Sequence, residues 1–493
     1  MDKDLAEIGA LSDSLAQIGK ALDQYLKFEH ADAHGNQTHW KSILNQTLPE
    51  TGIGLNQTIK QLTDVVIPNG SPVTNPGFSS FITTGATTVS TLASTAANIA
   101  SPQRYLGTAF NYLEELSLEW LAELCGVPNL KGVYSSGGSV ANLVALGGAR
   151  QFAYESRGVD PAADGMDVPG VIYASEECHH TIQRSAGVLG LGRNAVKLIP
   201  HDKLGRIDFA ALEKQVKSDH QAGICQVAIS ANAGSTNRGS IDPLLPMGEL
   251  AKSLGIWFHV DGAYGLPGIL DDRVKPLYQG LELADSVIVD PHKWLGASVG
   301  VAATLVKDRG YLLRAFTQEP ADYLEGSALN SEQTQTDDRQ AIEHSLDDFG
   351  IPYFDYGVEL SAPCRGVVVW ALILEIGKAG MQRRVVRHNS MAREIETLCE
   401  AHPNLEVLSP ATLSICCFRY YSDEISDLDA FNQRLHRRLI RENQYMPSTT
   451  RVDGKLAIRP CFVGARAEFS QAKALVDAVI RIGDALFLEI NQS

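Results

Sequence analysis

Five short stretches set reactive side chains at the ends of apolar runs. After the run 133–134 comes Ser136-Gly137-Gly138-Ser139-Val140-Ala141-Asn142, and then a helical pattern over 143–150. Glycines let backbone N–H groups approach an anion, a helix start adds partial positive charge, and Ser139 adds a hydroxyl. The stretch reads as a phosphate cradle or, as well, a Gly/Ser turn with an N-cap. After 171–174 comes Ser175-Glu176-Glu177-Cys178-His179-His180-Thr181. An imidazole there can stack on a flat ring, exchange a proton, or simply hold a loop. After 227–230, Ala233-Gly234-Ser235-Thr236 and then Asp242 would suit a planar ligand or a plain turn. Asp261 ends the apolar run 257–260. A carboxylate leaving such a run needs a cationic partner, such as a pyridinium N–H, or it caps the next segment. Last, 286–289 leads into Asp290-Pro291-His292-Lys293-Trp294. A desolvated lysine loses its proton readily and can form a Schiff base. The ordinary reading, a solvated surface lysine, sits poorly beside Pro291 and Trp294.

The elements that must position these residues follow from periodicity. Apolar β-type runs at 132–134, 171–174, 196–199, 227–230, 257–260, 286–289 and 300–305 alternate with helical segments. That order implies an α/β fold around a mostly parallel seven-stranded sheet buried on both faces. Ligands in such folds sit beyond the carboxyl ends of the strands, where all five stretches lie. An amphipathic helix is expected over 4–28, and polar linkers over 30–50 and 69–76. A helix over 108–125 has Phe110, Leu113, Leu116, Trp120 and Leu124 on one face. Segment 320–362 is long and polar, which suggests a lid or binding loop. A helix at 364–380 leads to a smaller α+β region, with strands at 413–420 and 456–462 and a closing helix at 468–488.

Composition bounds the function. The chain has 493 residues, 44% hydrophobic and 20% charged, with a formal charge of −16. An acidic chain with no dense basic block is a poor ligand for a polyanion, so no nucleic-acid partner is expected. No apolar run is long enough for a membrane span, and the first ten residues lack the layout of a signal peptide. None of the eight cysteines forms a CxxC pair, so no metal site is expected and a reducing cytoplasm is the simplest compartment.

Each stretch alone is ambiguous. Together and in this order they are the parts of a pyridoxal 5′-phosphate (PLP) site. From about residue 75 onward the chain resembles the group II PLP-dependent amino-acid decarboxylases of fold type I, which act on aromatic amino acids, glutamate, cysteine sulfinate or diaminobutyrate. Asn75-Pro76-Gly77-Phe78, the stretches at 136–142, 175–181 and 259–264, and above all Asp290-Pro291-His292-Lys293-Trp294 carry the likeness.

The resemblance implies that Lys293 holds the cofactor covalently, and that Gly138, Ser139 and His292 hold its phosphate, with Ser286 weighed as a helper. It implies that Asp261 pairs with the ring nitrogen, with Ala263 under the ring, His179 on its other face and Thr236 nearby. Tyr353, twelve residues before Arg365, aligns with the family's loop tyrosine and would return a proton to Cα; Tyr356 is its competitor. Phe81 and Thr84 would line the substrate pocket, and Arg104 and Tyr105 are the groups that could reach a second carboxylate. Two departures stand out: Asp290 replaces a frequent Asn, and Ala362-Pro363 replaces an arginine pair. An aromatic L-amino acid is the favoured substrate, with acidic substrates and diaminobutyrate open. An aminotransferase using Arg459 or Arg466 and a decarboxylating aldehyde synthase are the rivals. The likeness also implies a homodimer. It divides the chain into an N-terminal helical segment (1–105), a PLP-binding domain (106–362) and a small C-terminal domain (363–493).

Overall fold

The computed structural model describes residues 11–27, 39–104, 107–317, 350–442 and 444–492. Of the expected lid, residues 320–349 lie outside the described residues, as does Tyr105. The large sheet has seven strands: β2 (Lys131–Ser135), β3 (Gly170–Ser175), β4 (Val196–Ile199), β5 (Cys225–Asn232), β6 (Trp257–Asp261), β7 (Ser286–Val289) and β8 (Ala302–Val306). They lie in the order β2-β8-β7-β6-β5-β3-β4. Every pairing is parallel except those of β8, which runs against both β2 and β7. β6, β7 and β8 are buried at every position. This is why they read as unbroken apolar runs and not as alternating ones. The chain runs outward from β3 to β4 and then back the other way through β5, β6, β7 and β8, so the order reverses between the neighbours β3 and β5.

The second sheet has the order β1-β11-β12-β10-β9. Its strands are β1 (Phe78–Ser79), β9 (Leu405–Ser409), β10 (Cys417–Tyr420), β11 (Met446–Val452) and β12 (Lys455–Arg459). β1 pairs in parallel with β11, so the Asn75–Phe78 motif is stitched into the C-terminal sheet. The helix expected over 364–380 runs as Gly366–Glu400, through a break at Gly377 with φ 63°. Its first half, to Val385, packs in the large core, and from Met391 it packs in the small one. The helix expected over 4–28 is described as Leu11–Tyr25 and closes no core residue of its own. Among the described residues no helix is long and apolar enough to cross a membrane, and no cluster of His, Cys, Asp and Glu could hold a metal.

The helix Ala109–Leu124 corrects the expected apolar face. Of that face Leu124 is buried as expected, but Phe110, Leu113, Leu116 and Trp120 are only partly buried, whereas Asn111, Glu114, Ser117, Leu118 and Leu121 are buried. Polar groups go inward because each finds a partner there. Ser117 meets the Tyr134 hydroxyl at 2.9 Å, and Glu114 accepts the Arg365 N–H at 2.6 Å. Burial pushes the Glu114 carboxyl up to about 7 from 4.5, although Arg104 and the backbone N–H groups of Gly366 and Arg365 pull the other way. A raised carboxyl binds its proton more tightly folded than unfolded. Its contribution is therefore fully present below pH 4.5 and is lost as pH climbs to about 7. The shift is worth about 3 kcal/mol. Glu114→Gln should remove that slope. Between pH 4.5 and 7.5 the variant should gain several degrees of apparent melting temperature relative to wild type, at one scan rate. A difference that is flat with pH would show that Glu114 stays ionised.

Candidate active site

A cavity of about 320 Å³ opens at the carboxyl ends of β2, β3, β5, β6 and β7. It is of the size that takes a cofactor-sized ligand. Ser136, Gly138, Ser139, His179, Thr236, Asp261, Ala263, His292 and Lys293 all line it. These come from five loops far apart in sequence, and the sheet alone makes them neighbours.

On one wall, β2 turns at Ser136-Gly137 into the helix Gly138–Glu155. Val140 and Ala141 donate to the Gly137 carbonyl, which leaves the Gly138 and Ser139 N–H groups for an anion. A Cβ on Gly138 would lie 2.7 Å from Asp290 Oδ2, so a side chain at that position would have to push the Asp290 carboxylate aside. His292 faces this wall, with its Nδ1 held by the Val301 carbonyl at 2.7 Å. A carbonyl only accepts, so the proton sits on Nδ1. Burial lowers the His292 pKa, against the pull of Asp290.

On the floor, Asp261 Oδ2 accepts from Asn142 Nδ2 at 3.0 Å, and Oδ1 accepts from Ala263 N at 3.1 Å. Asn142 Oδ1 lies 2.8 Å from His259 Nε2, and His259 Nδ1 lies 2.9 Å from Ser286 Oγ. Ser286 in turn accepts from the Trp257 indole at 2.8 Å. The roles are forced in sequence. Trp257 donates to Ser286, Ser286 donates to Nδ1, and Nε2–H donates to Asn142, whose amide is then free to donate to Asp261. The chain needs His259 neutral, and burial pushes its pKa down to about 4, although Asp261 opposes this. His259 and Asn142 were not singled out from sequence. The available signal was period two: His259 and Asp261 share a strand face. Ser286, weighed as a phosphate helper, is corrected by this network. It starts β7, whereas the cavity lies past that strand's other end, and its hydroxyl is spent on His259 and Trp257.

The remaining walls are built similarly. His179 Nδ1 lies 2.8 Å from Thr181 Oγ1, which also accepts from Asn142. Burial lowers the His179 pKa first of all, and Asp261 raises it. Thr236 sits on the loop that Asp242 braces by accepting from Ile207 N and Asn232 N, each at 2.7 Å. Tyr264 stacks on Trp294 at 5.2 Å, and Trp294 donates to the buried His388 at 2.9 Å. Lys293 interrupts the turn Pro291–Leu295 with a non-helical backbone, and its Nζ lies 3.0 Å from Asp290 Oδ2.

Three expected residues are not among those lining the cavity. Tyr353 is 1% exposed and donates to Glu115 Oε2 at 2.6 Å, sharing that carboxylate with Arg309. Its ring packs edge-on against Tyr356. The placement runs against its expected role as proton donor: the hydroxyl is committed to a carboxylate on another helix. Phe81 is 66% exposed and Thr84 is buried against its own loop. Their segment does reach the neighbourhood, since Thr87 N donates to the Gly296 carbonyl three residues past Lys293. The arginines considered for a substrate carboxylate are also engaged elsewhere. Arg104 donates to the Tyr134 and Glu359 carbonyls, Arg459 to those of Thr236 and Asn237, and Arg466 to that of Ala86.

The donor set fits PLP. Asp261 is a buried carboxylate with neutral donors only and no ion pair among the described residues, which suits a cationic ring N–H. The Gly138–Ser139 wall suits a phosphate, and Lys293 offers an amine between the two.

Comparison with known proteins agrees. The profile of the pyridoxal-dependent decarboxylase conserved domain matches residues 38–421. The chain is 30% identical over 434 residues to the aromatic-L-amino-acid decarboxylase of Bacillus atrophaeus, covering 86% of this chain and 85% of that one. It is 26% identical to a phenylacetaldehyde synthase of Arabidopsis thaliana, over 86% of this chain and 85% of the relative. Among solved structures, Oryza sativa TDC with PLP and tryptamine superposes with a TM-score of 0.85 at 21% identity, covering 98% and 99% of the two chains. The match over most of the chain, and the strand-end cavity it explains, make this protein a member of the group II PLP-dependent amino-acid decarboxylase family.

Proposed function

We propose that the chain decarboxylates an aromatic L-amino acid to its amine. The observation that carries this is the lining of the cavity: among the described residues it includes no arginine. A second substrate carboxylate would find only Lys293 and imidazoles there, and Asp261 and Asp290 would repel it. The similarity to a decarboxylase of aromatic amino acids points the same way.

Bound PLP supplies an electron sink for the bond that breaks between Cα and the carboxylate. The rest is assigned to this chain. Lys293 would hold the cofactor through its amine, at the place a substrate amine must reach. Asp261 keeps the ring nitrogen protonated, steadied through Asn142 and His259. Gly138, Ser139 and His292 take the phosphate. His179 and Ala263 would cover the two ring faces, and Thr236 would close one side. Tyr353 is assigned to packing against Glu115, so the proton for Cα falls to groups that do line the cavity, His179 and Lys293 among them. Phe81 and Thr84 remain substrate contacts only if their segment is completed by a second chain. Exposed Phe81, Leu92, Ile99 and Val299 support a homodimer, which sedimentation of the holoenzyme would read as twice the chain mass. The chain divides near residues 105 and 362 on this reading, and limited proteolysis tests those boundaries.

The test is a substrate panel. Purified holoenzyme is given tyrosine, DOPA, tryptophan and phenylalanine, and separately glutamate, cysteine sulfinate and diaminobutyrate. CO₂, amine and aldehyde are counted. The best aromatic substrate should exceed every acidic one by about a hundredfold in kcat/KM, because an unpaired carboxylate in the cavity is heavily penalised. A better acidic substrate would sink the reading. The placement of Tyr353 away from the cavity favours a second reading, a decarboxylating aldehyde synthase. One amine per CO₂ upholds the first reading, and aldehyde in its place upholds the second.

A further inference from the structure

The cradle that would take the cofactor's phosphate already contains an anion. Asp290 is 2% exposed. Its Oδ2 lies 3.0 Å from Lys293 Nζ and 3.8 Å from His292 Nε2. Its Oδ1 is buried with no hydrogen-bond partner among the described residues. Both oxygens lie within 3.1 Å of where a Gly138 Cβ would stand, so the carboxylate rests against the helix start that meets the phosphate. Two anions in a buried cradle repel unless a proton lies between them. A neutral His292 offers none, because its one proton is committed to the Val301 carbonyl. Lys293, meanwhile, has a proton to lose, since an ammonium has no lone pair with which to attack a carbonyl.

Building on Lys293 as the anchor, we propose that Asp290 takes the Lys293 proton as the cofactor loads and keeps it, sharing it with the phosphate as a hydrogen bond. The Nζ–H bond breaks and an Oδ2–H bond forms, so an ammonium and a carboxylate become an amine and a carboxylic acid. Lys293 then condenses with the cofactor's aldehyde carbon and one water leaves. Nothing is oxidised or reduced, and the net charge of the pair stays zero. Asp290 changes from acceptor to donor at the moment an anion arrives. Oδ2, which gains the proton, is also the oxygen nearer the Gly138 wall, so it is placed to donate to an anion there. Other titratable groups facing this point are His292 on the same turn, His179 from the loop after β3 and Asp261 from the end of β6. Asp261 is occupied by Asn142 and Ala263, and Ser139 and Asn142 on the facing helix carry no charge.

Apoenzyme mixed with PLP in a stopped-flow reports loading through the absorbance of the lysine-bound cofactor. Wild type should load at a rate that changes less than about threefold from pH 6 to 9, because the proton acceptor is internal. Asp290→Asn keeps the shape and the phosphate donor but cannot accept the proton. It should load at least tenfold more slowly at pH 7, and the rate should rise about tenfold per pH unit as solvent takes over. Pyridoxine 5′-phosphate has the phosphate but no aldehyde, and it should bind the variant at least as tightly as wild type. Wild-type rates and pH profile in Asp290→Asn would overturn the proposal. An independent measurement needs no variant: loading wild type at pH 7.5 with a pH indicator should release almost no proton, and release of one per chain would overturn it too. Borohydride reduction and peptide mapping keep the two readings apart. A label away from Lys293 fails the anchor assignment itself, whereas a label on Lys293 with an unaltered variant fails only the role of Asp290.

Discussion

Lys293→Ala should lose decarboxylation by on the order of 10⁴-fold or more, while the protein stays folded. Its Nζ touches Asp290 at the surface of the cavity and takes no part in either apolar core. Folding should therefore survive its removal, and the helix start at Gly138–Ser139 should still take a phosphate. The variant should bind PLP without a covalent bond and release it on gel filtration, whereas wild type should retain it. Reduction with borohydride followed by peptide mapping should mark Lys293 in wild type and nothing in the variant. The loss is large because the amine does two jobs that no neighbour can share: it holds the cofactor in register and then exchanges with the substrate's amine. If Lys293→Ala keeps a tenth of wild-type turnover, or if the label falls on another lysine, the cavity has been assigned the wrong anchor.

Much of this site was legible because strand ends in a parallel sheet face one crevice. The runs 196–199 and 286–289 are the strands β4 and β7 to the residue. Once the sheet is read, residues 137, 179, 236, 261 and 293 must converge. What stayed hidden depends on contacts that periodicity cannot report. Glu114 looks like a solvent-facing acid until Arg365 N is found 2.6 Å from it. Tyr353 stands at the family spacing, yet Glu115 and Arg309 on two other elements decide where its hydroxyl points. The long helix crosses Gly377, which as a sequence signal marks an end, because packing on both cores holds it through the break. The strands β9 and β11 were missed because their burial is mixed and they lie on the smaller sheet. The His259–Asn142 connection is hidden for the same reason, and it bears on how Asp261 is held.

That connection gives Asp261→Asn a more specific expectation than loss of a charge. In wild type both carboxylate oxygens accept, one from Asn142 Nδ2 and one from Ala263 N. An asparagine has one acceptor oxygen and one amide nitrogen. Whichever way it turns, its NH₂ meets a donor, and the network back through Asn142 to His259 is strained or reversed. Reversal would require His259 to switch tautomer, so that Nε2 accepts and Nδ1–H donates to Ser286, which already accepts from Trp257 and would lose the acceptor for its own proton. The ring nitrogen also loses the negative charge that holds its proton. The expected loss in kcat is on the order of a hundredfold or more, with little change in KM, because the charge acts on the reacting state more than on binding. The pH profile should change as well. Without Asp261 the ring nitrogen holds its proton less tightly, so the variant should lose rate progressively as pH rises through neutrality, where wild type stays level. A structural role alone would lower stability and leave the shape of the profile untouched. A variant with near-normal kcat, or with a reduced kcat and an unshifted profile, would remove Asp261 as the partner of the ring nitrogen and leave it as a capping residue.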